Sequence, residues 1–196
     1  MPQRHLLRTA EQLAGIRESA KINTALLDYL SEHIKEGMTT AEIDHMVYCF
    51  TTDHDAIPAP FGYEGFPKSV CTSINDVVCH GIPSTKEVLR NGDILNVDVS
   101  TIYKGYFSDA SRMFMIGNVP PEWQRLVQVA KECRDIGVEM ARPWIRLGDI
   151  GAAIQEHAEK NGYSVVRDLC GHGVGVKFHE EPDVEHFGKR GTGMMI

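Results

Sequence analysis

The sequence predicts a mixed α/β (α+β) domain built from two similar halves and incomplete at its carboxyl end. Three observations lead there. Helical runs come in pairs, strand-like stretches follow each pair, and this order recurs once along the 196 residues. The halves fall at about 1–116 and 117–196, within a single domain spanning 1–196.

The first helix is expected from Thr9 to about Lys35, because Leu13, Ile16, Ala20, Ala25, Leu26, Leu30 and Ile34 recur at helical spacing and Gly37 supplies a stop. Thr40 precedes a second helical run, 41 to 53, with Ile43, Met46, Val47 and Phe50 as its apolar positions. Proline, glycine and aromatics at 56–65 read as a shaped loop. Apolar β-formers over 70–82 read as a strand ending in Cys79-His80-Gly81. Residues 94–102 and 105–116 then form a hairpin with its turn near Tyr103-Lys104-Gly105.

Pro120-Pro121-Glu122 opens a third helix to about Ala141, and Leu147-Gly148-Asp149-Ile150 begins a fourth that stops at Asn161-Gly162. A strand is expected over 163–169, followed by a loop at Gly171-His172-Gly173. The short breaks at 36–39 and 144–147 occupy matching places in the two halves. If the repeat holds, the carboxylates of the second half belong beyond residue 196.

Composition narrows the function classes. A net charge of −7 opposes general affinity for nucleic acid and suits a neutral or cationic substrate such as a peptide amino terminus. The five cysteines form no CxxC pair, which disfavours a thiolate zinc site and a disulfide framework and points to reduced thiols in a cytosol. The amino-terminal MPQRHLLRTAEQLAGIRESAK lacks an apolar stretch long enough for a signal peptide or membrane span, so the expected address is cytoplasmic.

The chemistry concentrates in a few residues. A turn near Tyr103-Lys104 places Asp98 opposite Asp109, or one step from it, and opposed strand residues have β-carbons only about 5 Å apart. Two facing carboxylates repel, so a proton or a cation must compensate, and a pair of divalent ions about 3.5–4 Å apart suits that spacing. A solvated pair on an edge hairpin is the alternative the residues leave open. Asp98 lies within the apolar run Ile94-Leu95-Asn96-Val97-Asp98-Val99, where an unpaired buried charge would be costly.

His172 stands between two glycines, His179 follows Phe178, and His80 follows an apolar run. Each alone reads as an ordinary partly buried histidine, and their convergence favours a site. Cys79 beside His80 suggests a nucleophilic pair, but neighbours on a strand point to opposite faces.

Three segments carry a resemblance: VCHGIP (78–83), NVDVSTIYKGYFSDASRMF (96–114) and GHGVGVKFHEEPDVEHF (171–187). Together they resemble the type I, bacterial-style methionine aminopeptidases, and the likeness covers essentially the whole chain. The resemblance implies the pita-bread fold, an antiparallel sheet backed by helices in pseudo-twofold halves. It implies a single catalytic domain holding two divalent metal ions, with cobalt, manganese, iron(II), zinc and nickel all open. Asp98 would bind one metal, Asp109 bridge both, and His172 bind the other. His80 would contact the substrate near the scissile amide, and His179 would hydrogen-bond its carbonyl. Tyr63, Phe66, Cys71 and Phe178 would line the pocket for the methionine side chain. Phe66 stands where a tyrosine is frequent, and Pro60 where a cysteine is frequent.

The implied reaction is hydrolysis after an initiator methionine when the second residue is small, by a metal-bound hydroxide. The implied substrates are amino-terminal Met-peptides of nascent chains, near the ribosome. A cytoplasmic monomer without specific nucleic-acid or membrane partners is expected. The family has two further glutamate ligands, one in a block reading roughly FTIEP, and neither maps onto this chain. The chain is therefore expected to be an incomplete enzyme. Two other readings stay open: an Xaa-Pro peptidase of the prolidase kind, and a catalytically dead pita-bread module that binds peptides or proteins.

Overall fold

The computed structural model describes residues 6–196. The first five residues, the start of the segment read as leading into the first helix, lie outside the described residues.

Helix α1 (Ala10–His33) begins at Thr9, whose hydroxyl accepts the Gln12 N–H while the Gln12 side chain accepts the Thr9 N–H. This reciprocal cap satisfies two backbone donors that the first turn would leave orphaned. Helix α2 (Thr40–Asp53) starts with the same device, from Thr39 and Glu42, so the cap is Thr39 rather than the expected Thr40.

Four antiparallel strands follow: β1 (Ile57–Pro58), β2 (Cys71–Ile74), β3 (Ile94–Tyr103) and β4 (Tyr106–Met115). β3 is central, with β4 along one edge and β1 and β2 sharing the other. The β3–β4 turn has two residues, Lys104 and Gly105, both at positive φ (50° and 82°). That conformation matches the natural twist of a hairpin and fixes Tyr103 opposite Tyr106.

Side chains alternate across a strand, so β3 has two faces of different character. Leu95, Val97 and Val99 pack with Leu26, Leu30, Ile43 and Val47 of α1 and α2 in the core. Each such side chain contributes roughly 1.5–3 kcal/mol on burial. Further along that face the polar residues are matched rather than absent. Asn23 donates to the Val99 carbonyl (3.0 Å) and accepts from the Thr101 hydroxyl (2.8 Å). Ser19 donates to the Thr101 carbonyl (3.0 Å) and meets the Ser108 hydroxyl at 2.8 Å. The other face carries Asn96, Asp98 and Ser100.

The remaining elements are α3 (Pro121–Met140), α4 (Leu147–Lys160), β5 (Gly171–Gly173) and β6 (Glu180–Val184), the last two forming a two-stranded antiparallel ladder. The described chain divides into a strand unit, Thr9–Pro120 with Val174–Phe178, and a helix-pair unit, residues 6–8 with Pro121–Gly173 and His179–Ile196. Each unit contains a similar feature. Thr39, just before α2, forms an antiparallel bridge with Val88, and Arg146, just before α4, forms one with Met195. Thr39 and Val88 are as far apart in sequence as Arg146 and Met195, which is what a repeated design requires.

Several expectations are corrected. The predicted strand 70–82 is a strand only over Cys71–Ile74, and Cys79 and His80 lie in the loop beyond it. The loop backbone turns away there because His80 adopts positive φ (55°). The face argument against a Cys79–His80 pair therefore does not apply. Residues 163–169 form no strand: β-branched Val165 and Val166 have the propensity, but among the described residues no neighbouring strand supplies a ladder. Gly171–Gly173, expected as a loop, is strand β5, with His172 opposite Asp183 and an irregularity before Gly173.

Candidate metal centre

The β3–β4 register decides the relation of the two carboxylates. Asp98 faces Ser111, and Asp109 faces Ser100. The expectation that Asp98 lies opposite Asp109 or one step away is thus corrected to a diagonal relation two residues along. The reason is where the turn is centred: it falls on Lys104-Gly105, one residue beyond Tyr103-Lys104, and that step moves the strand partners by two. Both aspartates still share the face turned away from α1 and α2, with diagonal β-carbons about 7 Å apart.

Their surroundings are built by neighbouring strands. The Ser100 hydroxyl donates to Asp109 Oδ1 at 2.9 Å, which orients that carboxylate. Across the other edge Cys71 of β2 pairs with Asp98. The Cys71 thiol is pushed up to about 12, mainly by burial and then by the negative charges of Asp98 and Asp109. Cys71 is therefore a neutral thiol at any ordinary pH.

The loop bearing His80 is fastened to β2. Gly81 donates its N–H to Ser73 Oγ (3.1 Å), and Thr72 donates to the Gly81 carbonyl (2.9 Å). A β-carbon on Gly81 would lie 2.0 Å from the Thr72 carbonyl oxygen, so the approach requires glycine. His80 itself is exposed and held in the left-handed region, a strained arrangement frequent at functional sites.

An aromatic group occupies the same unit. The Tyr63 ring meets Phe178 edge-on at 4.8 Å between centroids, and Phe107 stacks near Phe178 at 6.0 Å. Phe178 is buried, Phe66 is half-buried and Tyr63 is exposed. The Phe107 N–H donates to the Gly175 carbonyl at 2.7 Å, tying 174–178 to the start of β4. Phe107 was absent from the sequence-based pocket. Its position two residues before Asp109 on the same strand was the available signal.

The helix-pair unit brings His172 and His179 together, with ring centroids 4.4 Å apart. His172 Nδ1 lies 2.9 Å from the Gly173 carbonyl oxygen, which only accepts, so in the neutral ring the proton sits on Nδ1 and the lone pair on Nε2. That is the tautomer a ligating imidazole uses when a carbonyl fixes its other nitrogen. Gly173 is required as well: an added β-carbon would lie 2.4 Å from the Glu181 carbonyl oxygen. Beside His179, Glu180 pairs with Arg8 at 2.7 Å with little exposure of either side chain (10% and 18%).

Among the described residues no three histidine, cysteine or acidic side chains form one cluster able to hold a metal ion. The donor chemistry nevertheless fits a divalent cation. In the strand unit two hard carboxylates share one sheet face, one of them oriented by a serine, and in the helix-pair unit an imidazole has its Nδ1 fixed by a carbonyl.

Comparison with known proteins follows the same lines. Residues 14–196 match the model of metallopeptidase family M24. The chain is 46% identical over 190 residues to a methionine aminopeptidase of Rickettsia prowazekii, covering 97% of this chain and 73% of that protein. It is 48% identical to methionine aminopeptidase A of Synechocystis, over 97% of this chain and 75% of the relative. The crystal structure of the Rickettsia prowazekii methionine aminopeptidase superposes with a TM-score of 0.95 at 45% identity, covering all of this chain and 77% of that one. A prolidase from Pyrococcus furiosus, at 21% identity and a TM-score of 0.79 over 94% of this chain and 53% of its own, shares the fold alone.

Proposed function

This chain belongs to metallopeptidase family M24, and from that premise we propose that it is a metal-dependent methionine aminopeptidase, removing the amino-terminal methionine from peptides whose second residue is small. The pita-bread fold with its repeated halves accommodates this activity, and peptides are its substrates. The carrying observation is the placement of Asp98 and Asp109 on one face of β3–β4, away from the core. The prolidase alternative is not favoured, because that likeness is confined to the fold. The inactive binding module is not favoured either, since the chain is 43–48% identical to methionine aminopeptidases of Rickettsia prowazekii, Synechocystis and Haemophilus influenzae.

Asp98, Asp109 and His172 are the residues that would hold the two divalent metal ions. A bound divalent ion would lower the pKa of a coordinated water and polarise the scissile carbonyl. His80 lies on a loop stapled to β2 and contacts the peptide near the scissile amide. His179 donates to the peptide carbonyl where negative charge develops. Tyr63, Phe66, Cys71 and Phe178 form the side-chain pocket, joined by Phe107. A neutral Cys71 thiol suits that role, because it behaves as a small polarisable apolar group beside a thioether. Among the described residues no helix is long and apolar enough to cross a membrane. The proposal extends to a cytoplasmic monomer that meets nascent chains near the ribosome.

The test is substitution. Asp109→Asn and His172→Ala are each expected to abolish methionine release from Met-Ala-Ser at saturating metal, while Met-free Ala-Ala-Ser remains uncleaved by all forms. Unchanged turnover in either variant overturns the assignment of that residue.

A further inference from the structure

The segment between β1 and β2 holds two pocket residues and leads directly into a third, yet its middle makes its hydrogen bonds with itself. Gly62 donates to the Phe66 carbonyl (2.8 Å), Tyr63 to Pro60 (3.0 Å) and Phe66 to Tyr63 (2.8 Å). Gly62, Glu64 and Gly65 all have positive φ, so the turn is tightly wound and its shape is set locally. Such a turn keeps its own form but needs an external fastening to hold its position.

One carboxylate provides that fastening at the exit. Asp44, on α2, accepts the backbone N–H of Ser69 on Oδ1 at 2.7 Å and lies 3.3 Å from the Lys68 ammonium through Oδ2. Ser69 is only 3% exposed and Val70 is fully buried, so in the folded chain the Ser69 N–H is satisfied by Asp44 at the margin of the core. The next residue is Cys71, paired with Asp98 across the sheet. Upstream, Tyr63 touches Phe178. A displacement at Ser69 is therefore passed to Tyr63 and Phe66 on one side and to Cys71 on the other.

We propose that Asp44 is a positioning residue for the methionine pocket: its carboxylate clamps Lys68 and Ser69 and so sets where Tyr63, Phe66 and Cys71 stand, without touching substrate. This rests on the pocket reading above. The clamp works mainly through the part-buried charge-assisted hydrogen bond to Ser69, because Lys68 is one-third exposed and its ion pair contributes little.

The experiment compares Asp44→Ala, Asp44→Asn and Lys68→Ala with the unaltered chain, all loaded with Mn(II), on Met-Ala-Ser and Leu-Ala-Ser. Amide hydrogen exchange over residues 60–71 is measured alongside. Asp44→Ala is expected to raise KM for Met-Ala-Ser on the order of tenfold, the effect of losing one charge-assisted hydrogen bond. It should leave kcat nearly unchanged, narrow the preference for methionine over leucine and speed exchange over 60–71. Asp44→Asn keeps an acceptor oxygen and should restore most of each quantity, and Lys68→Ala should sit close to the unaltered chain. Normal KM and normal exchange in Asp44→Ala, or a loss of kcat with KM and preference intact, overturns the proposal. If the unaltered chain releases no methionine, the pocket reading fails, and the exchange data alone decide whether Asp44 anchors the segment.

Discussion

At Cys71 burial and two nearby carboxylates act in the same direction, and the outcome is chemical silence. The thiol is held up to about 12 against an ordinary value of 9.0, so it stays protonated where an exposed cysteine begins to ionise. Thiolate is the reactive form, so iodoacetamide at pH 8 should modify the exposed Cys79 and Cys170 and leave Cys71 intact. Peptide mapping by mass spectrometry checks this, and early modification of Cys71 in the folded chain would contradict it. The sign of the pH effect follows from the same shift. Because the folded chain holds the proton more tightly than the unfolded chain, this group's stabilisation is complete below about pH 9 and is lost as pH rises towards 12. At this scale much was legible in the sequence. Asp98, Asp109, His172 and His179 stood out by their settings, and the period of two already separates Asp98 from Val97 and Val99. Phe107 and Asp44 did not stand out: an aromatic on a strand and an acid on a helix are ordinary until their neighbours are known.

The α1–β3 contact shows what an element-level pattern conceals. Helical periodicity located α1 by Leu26 and Leu30, yet its buried stripe also contains Ser19 and Asn23, which a hydrophobic count passes over. They are buried because the helix faces a stretch of β3 and β4 whose Thr101 and Ser108 are polar too, and each hydrogen-bonding group finds its match. Replacing Asn23 by Leu would leave the buried Thr101 hydroxyl without its acceptor and remove the side-chain donor to the Val99 carbonyl. The expected loss is about 1–3 kcal/mol in urea unfolding, more than a surface substitution would cause. A change below 0.5 kcal/mol would show that the pair is not structurally important. The strand predicted at 163–169 failed for the complementary reason: propensity describes a residue's preference, whereas a strand exists only with a partner. The loop read as strand beyond Ile74 failed because positive φ at Asn75 and His80 bends the chain away from β3.

For the whole molecule, the repeated order of helix pair and strands was readable because capping and hydrophobic spacing are local signals. The hairpin register was not, since it hangs on which two residues form the turn, and centring it on Lys104-Gly105 instead of Tyr103-Lys104 moves Asp109 from facing Asp98 to a diagonal place beside it. The diagonal leaves both carboxylates on one face, so the expected chemistry survives the corrected geometry. The central claim is that this face serves metal-dependent removal of methionine. The most direct measurement is free methionine released from Met-Ala-Ser by the chain after stripping with a chelator and after restoring Mn(II) or Co(II), with Leu-Pro as the parallel substrate. The account predicts no release when stripped, release on adding metal, and no cleavage of Leu-Pro. Equal release with and without metal, or cleavage of Leu-Pro in place of Met-Ala-Ser, would contradict it.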